Sequence, residues 1–257
     1  MIELKRPLKN LMAPFLLDGN SLSVERLSDI VYQPASIGLS PRARKSMTAS
    51  RALVEDWLRA GETIYGVTTG FGEFSTVRIS AADILRLQEN LILSHSAGAG
   101  DPLPPEIVRA MMVLRVNALA KGYSGISLPT VDLLVKMVNK NITPVIPSQG
   151  SVGASGDLVQ LAHLVLAMMG KGFVLERTSS KKNKGQGGRG AEGRRIAASV
   201  ALKKYKLKPI RLSAKEGIAL INGTQMMTAY AALAVHHARQ LCKIVDIAGA
   251  LSVEALR

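Results

Sequence analysis

From Ser213 to about residue 250 the chain carries no proline. Ser213 and Glu216 have capping-box spacing, a hydroxyl at the cap and a carboxylate three residues on. This predicts one helix over about 213–250, roughly 55 Å long at 1.5 Å per residue. That is longer than a domain of this size needs. Gly217, Gly223, Gly249 and many alanines permit close helix neighbours, while Met226, Met227, Tyr230, Leu233 and Leu241 spread apolar surface over several sides. A helix apolar on several sides belongs inside a bundle, here a bundle expected to be larger than one chain. His236 and His237 are adjacent, so they point about 100° apart and cannot chelate a metal from one face; no metal site is expected. Asn222, beside Gly223 and Thr224, is a polar residue in an apolar run. It is either a satisfied packing group or a site residue.

A second stretch suggests chemistry: Gly150-Ser-Val-Gly-Ala-Ser-Gly-Asp157. Gly153 and Gly156 let the backbone turn tightly, and the apolar run Leu158–Met169 reads as a helix. Its N-terminus places Ser155 near unpaired N–H groups and the positive end of a dipole. One chemistry uses Ala154, Ser155 and Gly156 together. The amide nitrogen of Gly156 attacks the carbonyl carbon of Ala154 and water leaves. Loss of water from Ser155 then gives an exocyclic methylene. The product, a 4-methylidene-imidazol-5-one, is an electrophile that no side chain offers. By itself, Ala-Ser-Gly is a common tripeptide and usually a plain turn.

The rest of the chain is punctuated clearly. Phe15–Gly19 reads as a short strand and turn, and Ser23 as the cap of a helix through Val31. Ser40-Pro41 starts a helix that runs to Ala60 and stops at Gly61. Tyr65-Gly-Val-Thr-Thr-Gly-Phe-Gly72 is a glycine-rich loop able to move, with Tyr65 either packed or an exposed phenol able to act as a base. Ser80 and Asp83 have capping-box spacing for a helix ending near Ser94-His95. His95 either binds a substrate or complements the helix dipole. Helices are expected from Pro104-Pro105 to Lys121 and from Pro129 or Thr130 to Asn139, then an extended stretch Pro144–Pro147. His163 reads as a hydrogen-bonded core histidine.

The net charge of +14 invites a polyanion reading. However, residues 177–208 hold eleven Lys and Arg against one acid, so the rest of the chain carries only +4. Residues 178–195 are glycine-rich, basic and without a large apolar residue, which predicts a solvated loop or insertion. Without an aromatic to stack on a base, no nucleic-acid partner is expected. No run reaches the ~18 apolar residues of a membrane span, and Met1–Pro7 lacks the apolar core of a signal peptide. Cys242 is the only cysteine, which fits a reducing cytoplasm. The domains expected are 1–176, a basic linker or insertion 177–207, and the start of a bundle at 208–257.

Taken together these segments resemble the aromatic amino acid ammonia-lyase family, and its histidine-specific branch most closely. The motifs are Tyr65–Gly72, Leu87-Gln-Glu-Asn-Leu91, Ser94-His95, Leu114-Arg-Val-Asn117, Gly122-Tyr-Ser-Gly125, Gly150–Gly156 and Asn222-Gly-Thr-Gln225. The resemblance implies a mainly α, fumarase/aspartase-like fold: a mostly helical lyase domain followed by a long-helix bundle. It implies that Ala154, Ser155 and Gly156 become the methylidene-imidazolone, with no metal. Tyr65 would be the base for the β-proton, its phenol made more acidic in the assembled site. Asn222 would lie near the prosthetic group and the substrate carboxylate. Ser94 and His95 match the selectivity position and Gly72 the substrate loop. The implied reaction is L-histidine to trans-urocanate and ammonia, in a homotetramer whose sites draw on several subunits. Phenylalanine or tyrosine lyases and aminomutases share the pattern. Family members run to about twice this length, so the chain reads as an N-terminal half: a fragment, split gene or truncated copy that does not complete a site alone.

Overall fold

The computed structural model describes residues 13–70, 79, 81–176 and 194–256. Short strands and nine described helices alternate around one helix that is apolar on nearly every side. That helix is α4 (Pro105–Ala120), where Ile107, Val108, Met111, Met112, Val113, Val116 and Leu119 are all buried. A helix buried all round needs neighbours all round. They are α1 (Val24–Tyr32), α2 (Pro41–Ala60), α5 (Leu128–Asn139) and α9 (Gln225–Ala255). A second layer joins α3 (Ala81–His95) to α6 (Leu158–Met168) and α8 (Glu216–Ile221).

Local chemistry sets most of these ends. Ser40 Oγ accepts from Ala43 N at 3.1 Å, Pro41 stands in the first turn, and Gly61 closes α2 in the left-handed region at φ 69°. Ser23 Oγ accepts from Arg26 N at the start of α1. The cap expected from Ser80 lies outside the described residues, although α3 begins at Ala81 and ends at His95 as anticipated.

The strands are short and serve as ties. β1 (Phe15–Leu17) runs parallel to β2 (Ile37–Leu39), and Asn139 at the end of α5 bonds both the N–H and the carbonyl of Ile37. β3 (Ala99–Pro102) is antiparallel to β5 (Pro147–Gln149). β4 (Thr143–Pro144), β6 (Phe173–Glu176) and β7 (Arg194–Ala197) make a three-stranded sheet. Arg109 gathers the carbonyls of Ile30, Ala35 and Val138, joining the ends of α1 and α5.

Two expectations need correction. Residues 194–207 are not linker: β7 pairs with β6, and α7 (Ala198–Lys204) buries Ala198, Ala201 and Leu202 in the core. Residues 177–193 lie outside the described residues. The helix expected over 213–250 is also not continuous. It breaks at Asn222-Gly223-Thr224 into α8 and α9, because Arg115 and Asp157, distant in sequence, take over the hydrogen bonds the break would otherwise waste. Within this chain α9 is covered only in part. Ala229 and Leu233 are buried, whereas Leu241, Ile244, Val245, Ile247, Leu251 and Val253 are exposed. Among the described residues no helix is long and apolar enough to cross a membrane.

Candidate functional site

β5 delivers the chain to Gly150, and the bend follows at once. Gly153 (φ 84°) and Gly156 (φ 86°) bracket Ala154-Ser155, and Gly156 N faces Gly153 O at 3.4 Å. Ala154 and Ser155 are exposed, while Gly156 and Asp157 are buried. A side chain at Gly156 would overlap the backbone carbonyl of Gly223, its Cβ lying 2.7 Å from Gly223 C. The two backbones touch there, and only glycine permits it. The bend turns between two left-handed glycines, and residue 156 puts no side chain in the way of its own amide nitrogen, as a cyclisation of Ala154, Ser155 and Gly156 requires.

Asp157 does not cap the helix it precedes. Ser151 Oγ does that, accepting from Val159 N at 3.1 Å. Asp157 instead reaches across to α9. Its N–H donates to Gly223 O at 2.7 Å, and its Oδ2 accepts from Met226 N at 2.8 Å and Met227 N at 3.1 Å. Burial pushes its carboxyl above the usual range, and the two amide donors pull back against that.

On the other side of the break stands Arg115, 4% exposed. Its Nη1 donates to Asn222 O at 3.1 Å and Gln225 Oε1 at 2.8 Å, and its Nη2 donates to Ala219 O. Burial lowers its pKa to about 10, so it keeps its charge at neutral pH. In a continuous helix Ala219 O would accept from Gly223 N, and Asn222 O from Met226 N. A cation thus holds the carbonyl end of α8 and an anion holds the amide end of α9, each matching the dipole it meets. The lone arginine in the apolar run Val113–Val116 was the available sequence signal; nothing in the sequence pointed Asp157 at α9.

Asn222 is therefore presented at the C-terminal cap of α8, in extended backbone (φ −81°, ψ 103°) and exposed, one residue from the Gly156–Gly223 contact. The strand pairing that follows Ser94 and His95 joins their segment to the chain entering the bend. Ala99 pairs with Gln149 at the entrance to the bend, and Gly98 N donates to His163 Nε2 on α6 at 3.1 Å. His163 is thus hydrogen-bonded as expected, with burial lowering its pKa. His95 Nδ1 is 2.9 Å from Leu91 O. A carbonyl only accepts, so Nδ1 carries the proton and the neutral ring keeps Nε2 as an acceptor. Ser94 Oγ also donates to Leu91 O and lies 3.1 Å from His95 Nδ1.

Tyr65 heads a compact turn in which Thr68 Oγ1 accepts from Ile64 N at 2.8 Å and donates to Glu62 O at 2.6 Å. Thr68 and Thr69 are buried, and Tyr65 is 60% exposed. Gly72 lies outside the described residues. Gln88, from the Leu87–Leu91 motif, and Glu216, the carboxylate of the expected capping box, tie α8 to its neighbours, and Glu216 does accept from Ser213 N. Gln88 Oε1 accepts from Gly217 N at 2.8 Å, and buried Glu216 accepts from Ser127, Thr130 and Ser213. Burial pushes the Glu216 carboxyl up, but its hydrogen bonds together outweigh this and leave it below the usual range. Among the described residues no three His, Cys, Asp or Glu side chains are grouped to hold a metal.

The profile of a family described as aromatic amino acid lyase matches residues 22–257. The histidine ammonia-lyase of Caldanaerobacter subterraneus subsp. tengcongensis is 44% identical over 246 residues, covering 96% of this chain and 46% of the relative. Histidine ammonia-lyase from Trypanosoma cruzi superposes with a TM-score of 0.80 at 39% identity, over 91% of this chain and 42% of that one. Tyrosine aminomutase from Streptomyces globisporus superposes at 0.77 with 33% identity, over 87% and 39%. The chain spans about half the length of the relatives it matches.

Proposed function

Because the chain belongs to the aromatic amino acid lyase family, we propose that it carries the electrophile-forming part of a carbon–nitrogen lyase that converts L-histidine to trans-urocanate and ammonia. The observation that carries this reading is the backbone contact of Gly156 with Gly223, which sets the Ala154–Gly156 bend beside Asn222. Similarity to enzymes named histidine ammonia-lyase supports the substrate.

Ala154, Ser155 and Gly156 would form the methylidene-imidazolone with loss of two waters and no metal. The group supplies an electrophilic carbon that turns the substrate amine into a leaving group. The Tyr65 phenol oxygen takes the β-proton, as a general base must reach the proton it removes. Asn222 steadies the substrate carboxylate through its side-chain amide. His95 offers Nε2 to the imidazole N–H of the substrate, with Ser94 holding the His95 ring and Gly72 closing the loop over it. A site built to hydrogen-bond one ring rejects apolar analogues strongly. The exposed apolar half of α9 supports completion of the site by further segments and copies, a homotetramer in the whole protein.

The test is turnover. The complete assembly mixed with histidine should show the rising ultraviolet absorbance of urocanate, with phenylalanine and tyrosine turned over at least about 100-fold more slowly. Faster turnover of tyrosine or phenylalanine would reassign the substrate.

A further inference from the structure

Arg115 is an uncommon object in this fold: a guanidinium almost wholly enclosed in the apolar shell of α4, bonded to two backbone carbonyls and one amide oxygen rather than to a carboxylate. Burying a charge is costly unless it is well hydrogen-bonded, and what it bonds here is the broken end of a helix. Gly223 makes room for it, since a Cβ there would overlap Arg115 Nη1 and Gln225 Oε1. The forked head spreads two nitrogens over Ala219 O, Asn222 O and Gln225 Oε1, a fixed planar spacing that the point charge of an ammonium does not reproduce.

We propose that Arg115 is a positioning residue that holds α8 and α9 apart at Asn222-Gly223-Thr224 and so sets where Asn222 stands against the 154–156 bend. The functional half of this rests on the reading of Asn222 as a substrate-binding residue. Without the guanidinium, Ala219 O and Asn222 O lose their donors. The nearest replacements are Gly223 N and Met226 N, reached by closing α8 onto α9. Closure draws Met226 N away from Asp157 and turns Asn222 by the helical step of about 100° per residue. The bend and Asn222 then no longer face one another.

Hydrogen exchange on the 257-residue chain tests the structural half. In Arg115→Ala the amides of residues 222–227 should change exchange rate by about tenfold or more. Guanidinium at non-denaturing concentration should restore the parent pattern, while equal sodium should not. Arg115→Lys, which keeps charge but not the fork, should fall between. An Arg115→Ala pattern unchanged over 222–227, or a change spread through α4 and α6 without rescue, overturns the proposal. In the assembly that turns over histidine, Arg115→Lys and Asn222→Ala should each lower kcat by about 100-fold, since a misplacement near 1 Å has that cost. Their combination should be no worse than Asn222→Ala alone. Additive losses would show that Arg115 does not act through Asn222. An Asn222→Ala enzyme with normal turnover would overturn the functional half, and exchange would still decide the structural one.

Discussion

Replacing Asp157 by alanine removes the acceptor that starts α9. Two amide donors, Met226 N and Met227 N, lose Oδ2 at 2.8 and 3.1 Å, in a place where Asp157 itself is 1% exposed. Loss of a helix cap costs about 0.5–2 kcal/mol, and losing the charged acceptor of the second, part-buried donor costs about 1 kcal/mol more. The bond from the backbone of residue 157 to Gly223 O survives the substitution. The sum is about 2 kcal/mol, equivalent to roughly 4–8 °C in midpoint for a chain of this size. Asp157→Asn keeps an oxygen acceptor and removes a charge whose pKa burial has raised, so it should lie within about 1 kcal/mol of the parent. Urea and thermal unfolding of the three proteins side by side measure this. An Asp157→Ala chain within about 0.5 kcal/mol of the parent would refute the capping role, since that is the range of an ordinary surface substitution.

Further outcomes follow from the same geometry. Glu216→Gln should cost about 2 kcal/mol at neutral pH: Gln keeps one oxygen for Ser127 and Thr130 but loses the charge, and its NH2 faces the Ser213 N–H that the second oxygen accepted from. The folded Glu216 pKa lies below the ordinary 4.5, so this stability is present above pH 4.5 and disappears as pH falls through the depressed value. Urea melts at several pH values should show parent and variant converging in acid. Gly153→Ala, with nothing within 4 Å of a new Cβ, should cost only the about 1–2 kcal/mol of a left-handed alanine. Gly156→Ala meets the Gly223 backbone as well and should lose at least about 1 kcal/mol more; equal midpoints would argue against the contact. His95→Leu in the complete assembly should reduce histidine turnover by about 100-fold or more, and an unchanged rate would remove His95 from the specificity site.

Much of this fold could be read from local signals. Ser40, Pro41 and Gly61 bracket α2 in the structure as their chemistry requires, and the Gly150–Asp157 bend and the helix after it lie where the glycines put them. What could not be read was long-range. The break after Asn222 has no proline to announce it, because its hydrogen bonds come from Arg115 and Asp157, 107 and 69 residues away. β7 could not be told from the basic tract before it, since its partner β6 lies on that tract's far side. The candidate residues could be named one by one from the motifs, but what joins their segments could not. The segment of Asn222 is joined to the bend by a glycine–glycine backbone contact, and that of His95 to the strand before the bend by the pairing of Ala99 with Gln149.

A digest of the assembled protein, weighed across residues 150–160, tests the account most directly. The peptide containing Ala154, Ser155 and Gly156 should be lighter than its sequence by two waters, and should regain its full mass less one oxygen in Ser155→Ala. A peptide of unaltered mass, taken from protein that is turning over histidine, would contradict the proposal at its root.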